Sequence, residues 1–272
     1  HMVNASQKGA EQQGREFQKH LKAKSLKDLR NMDAQALTGD NVGFGGFWPC
    51  VDGYVITDDL YRNYCSGKYN DVAAIIMTNS DEGAMFSRPM TVDGYKNYVK
   101  QSFGGFADDI MKLYPGNNEQ EAYFSNGDIF RDTGFAWPSY AWASLQSETG
   151  KSPVYTAFLA QPSKLSFVGD KPRHGVSHAD DILYLGETFL KQSDKYPVEA
   201  ALAEIMQRYW INFAKTGNPN AKGMPYWPTF NKDQETTMQF SNGISLISVP
   251  NRDKIDLIDR YYKYIREQTG YQ

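Results

Sequence analysis

Val72-Ala73-Ala74-Ile75-Ile76-Met77-Thr78-Asn79-Ser80-Asp81-Glu82-Gly83 is the stretch on which the fold turns. Residues 72–78 form a near-continuous apolar run with no polar alternation. That is the pattern of a strand buried on both faces, as in a parallel sheet. The polar turn that follows, rich in carboxylates and closed by Gly83, marks the strand's exit. A second run of the same kind is Val154-Tyr155-Thr156-Ala157-Phe158-Leu159. The spacing between the two predicts helices near residues 95–101, 107–114, 119–130 and 136–149, the last closed by Gly150.

Downstream, residues 197–216 read as a long amphipathic helix. Ala200, Ile205, Tyr209, Trp210 and Phe213 supply its apolar side and Gly217 its end. Residues 237–240 and 244–248, joined by Ser241-Asn242-Gly243, carry a hairpin signature, and a final helix is expected over 253–268. Upstream, residues 10–30 are helical, with Ser25 capping a second short helix. Residues 40–46 are Gly-rich, and residues 47–56 read as an extended pair broken at Asp52-Gly53. Strands and helices alternate without an internal repeat or a long linker. The fold class is therefore α/β, expected as a single domain over residues 3–272.

Two residues stand where such a fold does chemistry. Glu82 follows the first buried strand, and α/β sheets place ligands and reacting groups at the carboxyl ends of their strands. His178, in Gly175-Val176-Ser177-His178-Ala179-Asp180-Asp181-Ile182, follows the second buried strand, and imidazole is the natural base near neutral pH. Each is a weak signal alone, since a strand exit is usually a solvated turn and a loop histidine a surface residue. Their order strengthens them: strand then acid, later strand then His, is the back half of Ser…Asp/Glu…His. In that arrangement Glu82 would fix the tautomer of His178 and stabilise its imidazolium. His174, four residues earlier, makes a His-x-x-x-His spacing that lacks the glutamate and third ligand of a zinc site.

Composition bounds the alternatives. The 272 residues are 40% hydrophobic, 22% charged and 14% aromatic, with a formal net charge of −3. That balance offers nothing to a nucleic-acid backbone. No apolar run approaches the roughly 18–20 residues of a membrane-spanning helix, and no targeting segment is visible. Cys50 and Cys65 allow at most one disulfide, and they read better as two unpaired small residues. The compartment stays open, with a secreted or periplasmic setting ahead of a cytoplasmic one. No metal or organic cofactor is implied.

Several motifs together resemble one family. Cys50-Val51-Asp52-Gly53, Gly67-Lys68-Tyr69-Asn70-Asp71-Val72 and Thr78-Asn79-Ser80-Asp81-Glu82-Gly83 are similar to the para-nitrobenzyl-esterase branch of the type-B carboxylesterases. So are Gly175 to Ile182, Trp210-Ile211-Asn212-Phe213-Ala214-Lys215-Thr216-Gly217-Asn218-Pro219-Asn220 and Pro225-Tyr226-Trp227-Pro228. The resemblance implies the C-terminal portion of an α/β-hydrolase fold, with an incomplete, mostly parallel sheet. It also implies a small ester as substrate, Glu82 as triad acid and His178 as triad base. Asp181 matches an acidic position three residues after that histidine and is expected to support it from behind, or to cap a helix start. Trp210 and Phe213 are expected in the core; Phe86 and Phe135 are weaker candidates to face substrate.

The nucleophile elbow Gly-x-Ser-x-Gly occurs nowhere in the 272 residues. Gly45-Gly46 and Gly104-Gly105 lie in the wrong context for an oxyanion loop. His1-Met2 reads as the remnant of an expression tag. The chain is therefore expected to be the C-terminal part of a longer esterase, inactive alone, whose partner is the N-terminal part of the same polypeptide. Strand 73–78 would then be an apolar edge that invites self-association. A non-catalytic adhesion module of the cholinesterase-like kind, or a stand-alone interaction module, is the competing reading.

Overall fold

The computed structural model describes residues 5–38 and 47–269. It falls into two compact units, His1–Asn63 and Tyr64–Gln272. The expected tag remnant and the Gly-rich residues 40–46, with Gly45-Gly46, lie outside the described residues.

In the first unit β1 (Ala5–Ser6) leads into α1 (Gln7–His20) and α2 (Leu26–Asn31). Ser25 caps α2 as expected, its hydroxyl accepting from the Asp28 N–H at 3.2 Å. The expected extended pair at 47–56 reduces to β2 (Cys50–Val51), whose partner is β1, in parallel. Asp52 explains the difference. Its Oδ1 accepts the N–H groups of Tyr54, Val55 and Ile56 at 2.9–3.0 Å, curling the backbone that a second strand would need extended. Helix α3 (Leu60–Cys65) follows. Both cysteines are free thiols.

The second unit is built on a four-stranded sheet in the order β3 (Ala74–Asn79), β4 (Val154–Leu159), β5 (Thr236–Ser241), β6 (Gly243–Ser248). The first three strands are parallel, and β5 and β6 form the expected hairpin. Between β3 and β4 run α4 (Val92–Phe103), α5 (Ala107–Leu113), α6 (Glu119–Arg131) and α7 (Trp137–Thr149). Between β4 and β5 lie α8 (Asp181–Leu185) and α9 (Pro197–Thr216), and α10 (Arg252–Thr269) ends the unit.

Alternation along the strands divides the core in two. Ile75, Met77, Tyr155, Ala157, Leu159, Met238 and Phe240 face the layer of α8 and α9. Ala74, Ile76 and Val154 face Ala143 of α7 and Phe230. A sheet covered on both faces has no need of polar alternation, which is why β3 and β4 read as continuous apolar runs. Helix α9 buries Ala200, Ala203, Met206 and Tyr209, spaced by three, and ends on Gly217 in the left-handed region (φ 74). Trp210 and Phe213 pack against this core while partly buried. Gly150 ends α7 differently, in extended backbone (φ −95).

Among the described residues β3 has a single strand neighbour, β4, so it is the edge the sequence suggested. Its side chains are not the exposed part. Ala74 and Ile76 are buried and Ile75 and Met77 half-buried, so the open feature is the hydrogen-bonding edge of the backbone.

Trp227 joins the layers. Its ring is 1% exposed among Tyr155, Tyr209, Trp210 and Phe240, and its indole N–H donates to the Thr156 carbonyl of β4 at 3.1 Å. Trp227→Ala leaves a cavity and removes this hydrogen bond. It is expected to lower unfolding free energy by about 3–5 kcal/mol, measured by urea denaturation; a loss below 1 kcal/mol would contradict this packing.

Candidate active site

The chain leaves β3 at Asn79 and at once bonds a segment nearly a hundred residues away. Asp81 forms an isolated parallel bridge with Ser177, its N–H donating to the Val176 carbonyl at 2.8 Å. The Val176 N–H in turn donates to the Ser80 hydroxyl at 2.9 Å. This bridge pairs the exit of β3 with the segment that carries His178. The two sequence candidates, 96 positions apart, therefore arrive side by side.

The Nδ1 of His178 lies 2.7 Å from Oε2 of Glu82. Oε1 of the same carboxylate accepts the Asn79 N–H at 2.7 Å, so both oxygens are engaged. Glu82 is 6% exposed, whereas the His178 ring is more than a third open. A carboxylate on Nδ1 fixes the proton there and leaves Nε2 as the free, basic nitrogen. The hydrogen bond to Glu82 raises the His178 pKa above its ordinary 6.5; burial opposes this, and the charges of Glu82 and Asp181 add to it. Chemically the pair can take up a proton at Nε2 and hold the resulting imidazolium beside a fixed negative charge.

Asp181 does not bond His178. It opens α8 and accepts the Asn79 Nδ2 at 3.1 Å, and that same amide donates to the Ser177 carbonyl at 2.9 Å. Asn79 is therefore the tie among Glu82, Asp181 and the segment 177–178. Sequence reasoning passed over it, although it stands within the Thr78 to Gly83 motif. Asp180 was missed too. Its carboxylate accepts from the Ser177 N–H at 3.1 Å, the Phe167 N–H at 2.8 Å and the Ser166 hydroxyl at 3.0 Å, closing the loop that carries His178. Backbone strain sits next to the histidine: Ala179 holds φ 70, a region unfavourable for a residue with a Cβ.

One side of the imidazole is aromatic. Phe135 and Phe86 have ring centroids 4.6 and 5.9 Å from it, and Phe130 stacks on Phe86 at 4.2 Å. Phe135 belongs to a π-helical turn, Asp132–Ala136, set between α6 and α7. Such turns cluster at functional sites because the extra residue re-aims a side chain.

Behind the site, His174, Asp81 and Asp128 bring side-chain donor atoms within 4.8 Å of one another. Asp128 is already paired with Arg131 at 2.8 Å and Lys254 at 3.4 Å. Arg131 and Lys254 thus occupy both oxygens of Asp128, which is not open to a metal ion as it stands.

The fold is that of the C-terminal portion of an α/β-hydrolase. The structure is similar to solved structures of PNB esterase (TM-score 0.71, 20% identity, 94% of this chain and 55% of that one) and thermophilic PNB esterase (TM-score 0.68, 19% identity, again 94% and 55%). The family model of the carboxylesterase family matches residues 3–257, and the chain belongs to that family. Human cocaine esterase is 30% identical over 234 residues, covering 76% of this chain and 40% of that protein. Rat acylcarnitine hydrolase is 31% identical over 206 residues, covering 68% and 36%. The chain thus spans about 40% of the length of these relatives. It is an esterase-like protein, and among the described residues no helix is long and apolar enough to cross a membrane.

Two measurements test the site. By NMR titration His178 should show a midpoint above 6.5, and Glu82→Gln should bring it back towards that value. Because the folded pKa is raised, the pair's contribution to stability is complete below about pH 6.5 and is lost as pH rises through the folded midpoint. An unchanged midpoint in Glu82→Gln would refute the pairing. Gly83 is the second test, since a Cβ there would lie 1.9 Å from the Gly127 carbonyl oxygen of α6. Gly83→Ala should therefore cost about 3 kcal/mol in chemical denaturation; wild-type stability would contradict the close approach.

Proposed function

We propose that this chain supplies the acid and the base of a serine carboxylesterase that hydrolyses carboxylic esters through an acyl-enzyme. The observation that carries the reading is the 2.7 Å bond between Glu82 and His178 Nδ1, made where neighbouring parallel strands end. Membership of the carboxylesterase family supports it.

In this mechanism His178 Nε2 accepts the proton of a serine hydroxyl as that oxygen attacks the ester carbonyl. The imidazolium, held by Glu82, then returns the proton to the departing alcohol. Water enters in the second half by the same route, and its oxygen releases the acid product from the serine. Asn79 keeps Glu82 in place and binds Asp181 as a more distant negative charge. Phe86 and Phe135 present an apolar wall beside the imidazole, suited to the hydrocarbon part of a small ester.

The nucleophile and the oxyanion donors belong, in this reading, to another part of the same polypeptide. The sequence holds no Gly-x-Ser-x-Gly. The open backbone edge of β3 is where further strands of a parallel sheet would pair. Residues 3–272 then act as one C-terminal portion of a single hydrolase domain.

The 272-residue chain should give no stoichiometric burst with p-nitrophenyl acetate. A burst abolished by a serine-directed organophosphate would sink the proposal. In the full-length enzyme His178→Ala should lower kcat by about three or more orders of magnitude; turnover near wild type would remove His178 from the mechanism.

A further inference from the structure

His174 is held by the residue next to Glu82 and by a carboxylate of α6. Its backbone N–H donates to Asp81 Oδ2 at 2.8 Å. Its Nε2 lies 3.1 Å from Asp128 Oδ1 and 3.7 Å from Asp81 Oδ1, and its ring packs on Phe124 at 5.0 Å. Adjacent acids thus hold both histidines of His174-x-x-x-His178, with the Asp81–Val176 and Ser80–Val176 bonds between them. The segment 174–178 is pinned at both ends and in the middle, and His174 forms the end tied to α6.

The charges around His174 favour a cation. Asp81 faces it from the β3 exit, and Asp128 and Arg131 from α6. Lys254 of α10 sits on the other oxygen of Asp128. Arg131 is shared with buried Asp132, bonded at 2.8 Å. Three carboxylates against two side-chain cations leave the cluster one positive charge short. Two phenols, both neutral in this range, complete the surroundings: Tyr123 donates its hydroxyl to the Pro172 carbonyl at 3.2 Å and Tyr114 donates to Asp132 Oδ2 at 2.8 Å.

We propose that His174 is a positioning residue: as an imidazolium it clamps the segment 174–178 between Asp81 and Asp128, keeping His178 in register with Glu82, and on losing its proton it loosens that grip. The role assigned to the Glu82–His178 pair rests on the function proposed above; the clamp itself does not. The direction of titration agrees. The hydrogen bond to Asp128 raises the His174 pKa above 6.5, burial opposes, and the charges of Asp81 and Asp128 add, with Arg131 working against them. Burial holds the Asp81 carboxyl above its ordinary value despite the bonds from His174, so this carboxylate gains most from a cation beside it. The clamp is complete below about pH 6.5 and fades as pH rises through the raised folded midpoint.

Amide hydrogen exchange of the 272-residue chain tests this, read as protection factors of Asp81 and Val176 against pH. In wild type, protection should fall about fivefold or more as pH passes the His174 midpoint, followed in parallel by NMR. His174→Gln, which cannot be charged, should show lower protection at acidic pH and no step. His174→Lys, a fixed cation at an exposed position, should keep protection high through pH 8. Identical profiles for wild type and His174→Gln, or a His174 midpoint at or below 6.5, would overturn the clamp. A purely structural histidine would lose protection equally at every pH in both variants, which also overturns it. In Glu82→Gln the step at Val176 should persist. An unshifted His178 midpoint in that variant would strike the Glu82–His178 pairing and leave the His174 result standing.

Discussion

The hydrogen bond from the Asp81 N–H to the Val176 carbonyl sets the register of everything around the site. It joins the exit of β3 to a segment that is remote in the chain. Once that bond is made, side-chain direction is no longer free. Asp81 meets His174, and Glu82, in the turn that follows, meets His178.

Close packing enforces that register. Gly83 and Gly127 bring the exit of β3 against α6 at a distance no side chain would permit, and α6 contributes Asp128 and Arg131 behind the site. Helix α6 then passes into the π-helical turn that places Phe135 on the imidazole. One face of His178 is thus apolar, and its Nδ1 is committed to a carboxylate. The strain at Ala179 is borne by the surrounding bonds of Asp180 and Asn79, as expected where a loop is over-determined.

The sheet explains why a loop can be held so firmly. Strands β3 and β4 are buried through their two faces by separate apolar clusters. Their carboxyl ends therefore project from a rigid layer, and ligating loops on such a layer inherit its precision. Trp227 contributes by filling the space between sheet and α9 while satisfying a strand carbonyl. The open side of β3 is the opposite case: side chains covered, backbone edge available.

The sequence by itself determined much of this. Residues 72–78 and 154–159 announced buried parallel strands because no polar alternation interrupts them. The α9 helix, the hairpin and the caps at Ser25 and Gly217 followed from local chemistry. Glu82 and His178 were legible through order and strand context, and Phe86 and Phe135 were named on weaker grounds. Local signals failed where a side chain competed for the backbone, as Asp52 does in curling the expected strand at 47–56. Only the tertiary structure decided the rest. The Asn79 amide and the His174 ring have no local pattern, since their partners lie far along the chain or on a different helix. Asp181, expected to support His178 or to cap a helix, was assigned to Asn79 by packing alone. Periodicity records what a residue faces, whereas a hydrogen-bonding partner is fixed only when distant segments are brought into register.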